Sequence, residues 1–406
     1  MPVGLSAPTD VKAVAGVRLA ATAAGIRYRG RDDLALLELA PGGSCAAVFT
    51  RNAFRAAPVT VAAEHLAAGP PRYLLVNAGN ANAGTGTRGL ADARACCAAL
   101  AAAAGCAPEQ VLPFSTGVIG EPLPVARLAG AAGGLLEGLS GDGWLAAARA
   151  IMTTDTLPKV VSRHCTLDGR AVTVTGMAKG SGMICPDMAT MLAFVATDAA
   201  VEPTLLEACL RAAVERSFNR ISVDGDTSTN DACVLMASGA AGNEPLAFAA
   251  DPGVPAFQQA VDGVCRELAQ AVVRDGEGAT RFVTLDVRGG ATTEECLAVA
   301  YTIAHSPLVK TAWFAGDPNW GRILAAVGRA GLTALDLDGV SIHLDDVCIV
   351  EAGGRAAAYT EAAGAAVFAR PEFTVRVELG RGDAGAVVWT TDLSYDYVKI
   401  NAEYRS

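Results

Sequence analysis

Lys179-Gly180-Ser181-Gly182-Met183-Ile184-Cys185-Pro186-Asp187-Met188-Ala189-Thr190-Met191-Leu192 follows two β-rich arms, Val160–Leu167 and Arg170–Met177, joined by Asp168-Gly169. An Asp-Gly pair between such arms predicts a hairpin closed by a two-residue turn. Two glycines then free the backbone for tight geometry. Pro186 fixes one φ angle and restricts the residue before it. A slim residue, Ala189, precedes a β-branched hydroxyl residue, Thr190, and the strand-like run Met191–Val195 follows. This order suits attack of the Thr190 hydroxyl on the preceding carbonyl, because the restricted χ1 of threonine aims its oxygen. Taken alone, a threonine after an alanine is most often an ordinary strand residue.

Scission before Thr190 has a chemical consequence. A threonine hydroxyl is a weak nucleophile until a base takes its proton. An α-amino group has a pKa of about 7.7–8.0, against about 10.4 for a lysine side chain. A base works best when its pKa lies near the working pH. The amine released at Thr190 would be such a base.

Working outward, the pattern is mixed α and β. Strand-like runs include Leu34–Leu39, Tyr73–Asn77, Arg281–Val287, Phe373–Leu379 and Ala386–Thr390. Helical periodicity marks Leu90–Ala104, Pro203–Arg216, Ala256–Val273 and Asn319–Arg329, the last opened by Asp317-Pro318 and ended by Gly331. Strands and helices do not alternate strictly, which favours helix-covered sheets over a doubly wound nucleotide fold. Gly84-x-Gly86-x-x-Gly89 and Gly380-x-Gly382-x-x-Gly385 fit the dinucleotide pattern but lack its strand–turn–helix context, and 44 glycines make such matches cheap.

A net charge of −10 argues against a nucleic-acid partner, which needs concentrated Lys and Arg. The 51% hydrophobic content is interrupted by charges, so no membrane-spanning run is expected. Arg18 and Asp10 argue against a secretory signal, and a cytoplasmic location is expected. Eleven cysteines, with no C-x-x-C pair, read as buried free thiols. The four histidines are too widely spaced for a zinc pattern. Asp224-Gly225-Asp226-Thr227-Ser228 begins like a calcium loop but lacks glycine at position six and glutamate at position twelve. It reads as a hydrogen-bonded structural loop. Neither a metal nor a cofactor is expected.

The 179–192 segment resembles the signature of the ornithine acetyltransferase family, also called glutamate N-acetyltransferase. The likeness recurs in Val76–Gly84, Ser115–Gly120, Met152–Thr156, Ser222–Asp231, Asp275–Thr280, Gly316–Arg322 and Ile400–Ser406. Ordered matches along the whole chain are far more specific than any one of them.

The resemblance implies a layered αββα sandwich of the self-processing, N-terminal-threonine kind. It implies cleavage between Ala189 and Thr190, leaving an α chain of residues 1–189 and a β chain of residues 190–406. It implies transfer of acetyl from N-acetylornithine to glutamate through an acetyl ester on Thr190, in arginine biosynthesis. Thr116, by its hydroxyl, and Gly117, by its N–H, would form the oxyanion hole. Substrate binding falls to Thr153, Lys179, Thr190, Glu277, Asn401 and Ser406. Acetyl-CoA is a candidate second donor, and the assembly would be a heterotetramer of two α and two β chains. Outside the resemblance each residue has a plainer reading. Ser115-Thr116-Gly117 could end a strand, Lys179 could be a surface charge, Glu277 a solvated loop and Thr153 a helix-end hydroxyl. Two other functions stay open: a self-processing amidohydrolase or aminopeptidase, and a binding protein with an inert Thr190.

Overall fold

A computed structural model describes residues 2–185 and 191–404. Thr190, Ala189 and Ser406 therefore lie outside the described residues. The described chain builds three sheets.

The first sheet has the order β1 (Val17–Thr22), β2 (Leu34–Leu39), β4 (Tyr73–Asn80), β5 (Val111–Val118). The second has the order β3 (Ser44–Phe49), β10 (Ala232–Ala237), β8 (Leu192–Thr197), β7 (Arg170–Lys179), β6 (Lys159–Leu167). These two sheets pack face to face. Strand side chains alternate between faces, and both faces of the central strands β2, β4, β8 and β10 are buried. In β2, Ala35, Leu37 and Leu39 enter the core between the sheets, while Leu34 and Leu36 face the opposite way. In β8, Leu192, Phe194 and Ala196 enter that same inner core, and Ala193 and Val195 face outward. Apolar residues at five of the six positions of β2 and of β8, with Glu38 and Thr197 the exceptions, are what a strand covered on both faces requires.

Helices close both outer faces. Over the first sheet lie α1 (Ala57–Ala68), α2 (Gly86–Ala104) and α3 (Val125–Glu137). Over the second lie α5 (Pro203–Glu215) and α6 (Val254–Arg274). The short α4 (Trp144–Ala150) plugs the inner core with Trp144. The result is the expected layered αββα sandwich, with mixed rather than doubly wound sheets.

The third sheet runs β14 (Gly354–Arg355), β13 (Val347–Glu351), β12 (Ser341–Leu344), β15 (Glu372–Glu378), β11 (Phe282–Gly290), β16 (Ala384–Thr391), β9 (Ile221–Ser222). A separate core joins it to α7 (Thr293–Ala304), α8 (Pro307–Ala315), α9 (Trp320–Gly328) and α10 (Glu361–Phe368). The last helix, α11 (Tyr395–Ala402), follows β16.

The Asp168-Gly169 hairpin forms as expected. Both turn residues have positive φ, 50° and 74°, as a type I′ turn demands. The 319–329 helix ends at Gly328, so Gly331, with φ of 81°, lies beyond its cap residue Arg329. All eleven cysteines are free thiols. Residues 1–189 and 190–406 are not separate modules, because β8 and β10 sit between β7 and β3 in one sheet.

Candidate active site

The hairpin delivers Lys179 as the last residue of β7, paired with Leu192 at the start of β8. Across from it, β5 presents Thr116 and Gly117 where its pairing with β4 becomes irregular at Gly79 and Asn80. Such irregularities re-aim side chains near the rims of sheets. Gly117 has φ of 133°, and a Cβ there would fall 2.2 Å from the Gly79 carbonyl carbon. Only glycine fits.

Lys179 is buried, and its ammonium donates to the Thr116 hydroxyl at 3.2 Å. That leaves the Thr116 proton free to point elsewhere. Burial lowers the Lys179 pKa, against the opposing charges of Asp155, Asp231 and Glu277. An anionic ligand group beside it would supply a counter-charge.

Thr153 is held by a buried ionic cluster beneath the site, and the Thr154 hydroxyl bonds that of Ser181 at 2.7 Å. Lys159 donates to Asp155 at 2.7 Å and to Asp275 at 2.6 Å, with all three side chains essentially inaccessible. Asp155 also accepts from the amides of Thr153, at 3.1 Å, and Gly180, at 2.7 Å. Burial works against its ionisation, but Lys159 and Lys179 hold it below the usual carboxylate range. Asp275 accepts from the Thr156 amide at 2.9 Å and from the Thr156 hydroxyl. One ammonium thus ties the Thr153 turn to the loop that carries Glu277 two residues later.

Glu277 accepts from Asn401 of α11 at 2.8 Å, and its own amide donates to Ser181 at 2.8 Å. Gly182 makes room for it: a Cβ there would come within 2.4 Å of the Glu277 carboxylate. Asn401 is fixed because Ser394 caps α11 and donates to Gly278 at 2.6 Å.

These elements enclose a cavity of about 260 Å3. Thr116, Gly117, Thr153, Lys179, Glu277 and Asn401 all line it. Its size is just below the roughly 300–1,000 Å3 of pockets for drug-sized ligands. That scale suits an amino acid carrying a small acyl group. Six of the expected residues are thus brought together. Thr190, Ala189 and Ser406 lie outside the described residues; the described residues on either side of 186–190 are anchored. Ile184 donates to Asp224 at 2.9 Å, and Met191 donates to Asp231 at 3.0 Å.

Sequence reasoning missed Met183, Ser228, Asn230 and Tyr404, which also line the cavity. Asn230 braces it by donating to Ala81 at 2.7 Å and Ser115 at 2.9 Å. Both Ser228 and Asn230 lie in the Ser222–Asp231 stretch of family likeness, whose Asp224–Ser228 part reads from sequence as a hydrogen-bonded structural loop. Its structural reading holds, since Asp224 accepts from Met183 at 2.6 Å and from the Tyr397 hydroxyl at 3.2 Å. Cys185 also reads as packing: burial pushes its thiol up to about 12.

Comparison with known proteins places this architecture. The model of the ArgJ family matches residues 18–406. The arginine biosynthesis bifunctional protein ArgJ of Methylococcus capsulatus is 62% identical over 393 residues, 97% of this chain and 96% of its own. Its namesake from Pseudomonas syringae pv. tomato is 55% identical over 406 residues, the whole of both chains. Among solved structures, ArgJ from Bacillus halodurans aligns with a TM-score of 0.50 at 39% identity, covering 52% of this chain and 98% of that one. With a match over nearly its full length, this chain belongs to the ArgJ family.

Proposed function

We propose that this enzyme moves an acetyl group from N-acetylornithine to glutamate through an ester on Thr190, as a step of arginine biosynthesis. The observation that carries the reading is the convergence of Thr116, Gly117, Thr153, Lys179, Glu277 and Asn401, from five separate stretches of chain, on one small cavity. The names of the relatives, arginine biosynthesis bifunctional protein, support the same assignment.

Maturation comes first. The Thr190 hydroxyl attacks the Ala189 carbonyl carbon, the amide C–N bond breaks, and the nitrogen takes up the hydroxyl proton to become the new α-amine, leaving Ala189 as an ester on the Thr190 oxygen. Water then hydrolyses the ester between the two chains. In turnover, that amine takes the hydroxyl proton while the oxygen attacks the acetyl carbonyl of N-acetylornithine. The Thr116 hydroxyl and Gly117 N–H receive the oxyanion; losing one such donor costs about 2.7–4 kcal/mol of barrier. Ornithine leaves with the returned proton. Glutamate's amine then attacks the acetyl ester and departs as N-acetylglutamate. Lys179 faces the substrate α-carboxylate, and Glu277, steadied by Asn401, faces an ammonium. Ser406 adds a contact from the chain's last residue.

The match of nearly a whole Bacillus halodurans chain to 52% of this one supports cleavage, because residues 190–406 make up just over half of the chain. Two such α–β pairs would assemble as a heterotetramer in the cytoplasm. The word bifunctional favours acetyl-CoA as a second donor. No cofactor is required.

Thr190→Ala should leave a single 406-residue species on intact mass under denaturing conditions and abolish transfer. Thr116→Ala should slow both steps by about 100-fold. Uncut Thr190→Ala protein with full activity would overturn the assignment. Acetyl release with and without glutamate separates transfer from hydrolysis. Glutamate acetylation from acetyl-CoA, compared with that from N-acetylornithine, tests the second donor.

A further inference from the structure

We propose that Asp224 and Tyr397 are positioning residues for substrate binding, closing a ring of hydrogen bonds that holds Glu277 and Asn401 against the 181–183 bend. The proposal rests on the cavity being the acetyl-transfer site. The ring can be followed bond by bond. Asp224 Oδ2 accepts from the Met183 amide at 2.6 Å and from the Tyr397 hydroxyl at 3.2 Å. The Tyr397 carbonyl accepts from the Asn401 side chain at 3.0 Å, and the same Asn401 nitrogen donates to Glu277 at 2.8 Å. The Glu277 amide then donates to the Ser181 carbonyl at 2.8 Å, two residues before Met183. Gly182, Met183, Glu277 and Asn401 line the cavity, and neither Asp224 nor Tyr397 is among its lining residues. The pair therefore acts on a ligand only through the side chains it places.

Two further features show that these bonds, rather than packing, set the geometry. Met183 has φ of 57°, a left-handed conformation that a residue with a side chain keeps only where its surroundings dictate it. Asp224 does the dictating, because its Oδ1 accepts from the Ile184 amide at 2.9 Å while Oδ2 holds Met183. The second feature is α11, none of whose residues is buried. Its placement falls to polar bonds, from Ser394 at its start and from the Tyr397 hydroxyl in the next turn. Burial, aided by the Asp224 charge, raises the Tyr397 pKa, so the phenol stays protonated and donates. Without that one bond the ring opens, and Asn401 and Glu277 are tied to Met183 from one side only.

The test compares wild type, Tyr397→Phe, Asp224→Ala and the double variant, reading Tm together with kcat and KM for N-acetylornithine and for glutamate. Tyr397→Phe removes one hydroxyl and keeps the aromatic ring. It should raise both KM values by about tenfold, the equivalent of one hydrogen bond to a charged group, and leave kcat within about twofold. Its Tm should stay close to that of wild type. Asp224→Ala should raise KM at least as far. Adding Tyr397→Phe to it should then change KM by less than about twofold, because the shared bond is already gone. Wild-type KM values in Tyr397→Phe would overturn the proposal. So would a fall in Tm or kcat with KM unchanged, which would assign the pair to folding or to the chemical step. Effects of the two changes that simply multiply would overturn it as well. Should Asp224→Ala not fold, Tyr397→Phe decides alone by the same KM criterion. The underlying reading fails separately: wild-type protein that moves no acetyl from N-acetylornithine to glutamate would remove the cavity from that role, whatever the variants do.

Discussion

At the scale of single residues, the site depends on close approaches that tolerate no extra atoms. Gly182 is the sharpest case. An added methyl would meet the Glu277 carboxylate at 2.4 Å, and that carboxylate is the movable end of a side chain. Gly182→Ala should therefore fold normally but displace Glu277, raising KM for both substrates by about tenfold, the equivalent of one hydrogen bond to a charged group. Unchanged steady-state KM values would remove Glu277 from substrate binding. Lys310 offers a second prediction, this time of stability. It is buried on α8, donates to the Thr390 hydroxyl at 3.1 Å and to the Thr391 carbonyl, and burial pushes it down to about 8 despite Asp392 and Asp224. Between about 8 and 10.5 the unfolded chain holds a proton that the folded one has lost. Stability from this group must then rise with pH across that window, after being lowest below it. Wild type should gain up to ~3 kcal/mol relative to Lys310→Met over the same interval. Chemical denaturation of both proteins at pH 7.5 and 10.5 measures the difference, and parallel pH profiles would refute it.

At the scale of elements, the outcome divides by whether the signal was local. β2 was legible to the residue, and α5 and α6 to within two residues, because apolar spacing and flanking Pro and Gly lie inside the element itself. The β6–β7 hairpin was equally plain from its turn. By contrast, β3 is a half-buried run of small residues, and β9 has only two residues that pair with β16. Their strand character comes from distant partners. The same holds for the site. Thr153, Glu277 and Asn401 come from a turn, a loop and a late helix, so no spacing joins them; only the family motifs did. α11 shows why such an element matters although none of its residues is buried. Its position rests on Ser394, which accepts from the Tyr397 amide and donates to Gly278. Ser394→Ala should cost about 0.5–2 kcal/mol locally. Expected are faster hydrogen exchange in α11 and a raised KM, with global Tm shifted by no more than a few degrees. Unaltered exchange would mean that packing, rather than the cap, holds the helix.

At the scale of the whole molecule, the proposed cut falls in a chain whose halves cannot easily part. β8 and β10 come from residues 190–406, yet they pair along their full lengths with β7 and β3 from residues 1–189. The inner core takes Leu37, Val76 and Met177 from one half and Phe194, Val234 and Met236 from the other. Beneath the cavity, Lys159 of the first half is buried against Asp275 of the second. Removing one partner of a buried pair costs about 3–5 kcal/mol, and separating the halves would strand both. Cleavage should therefore release an amine without releasing a subunit. The cut protein is expected to elute as one species in size exclusion, to unfold in one cooperative transition, and to yield two masses only in denaturant. Lys159→Met should lower the denaturant midpoint of that joint transition. Should the two fragments separate in native buffer at micromolar concentration, the sheet they share could not be the scaffold that holds Lys179 at the cavity.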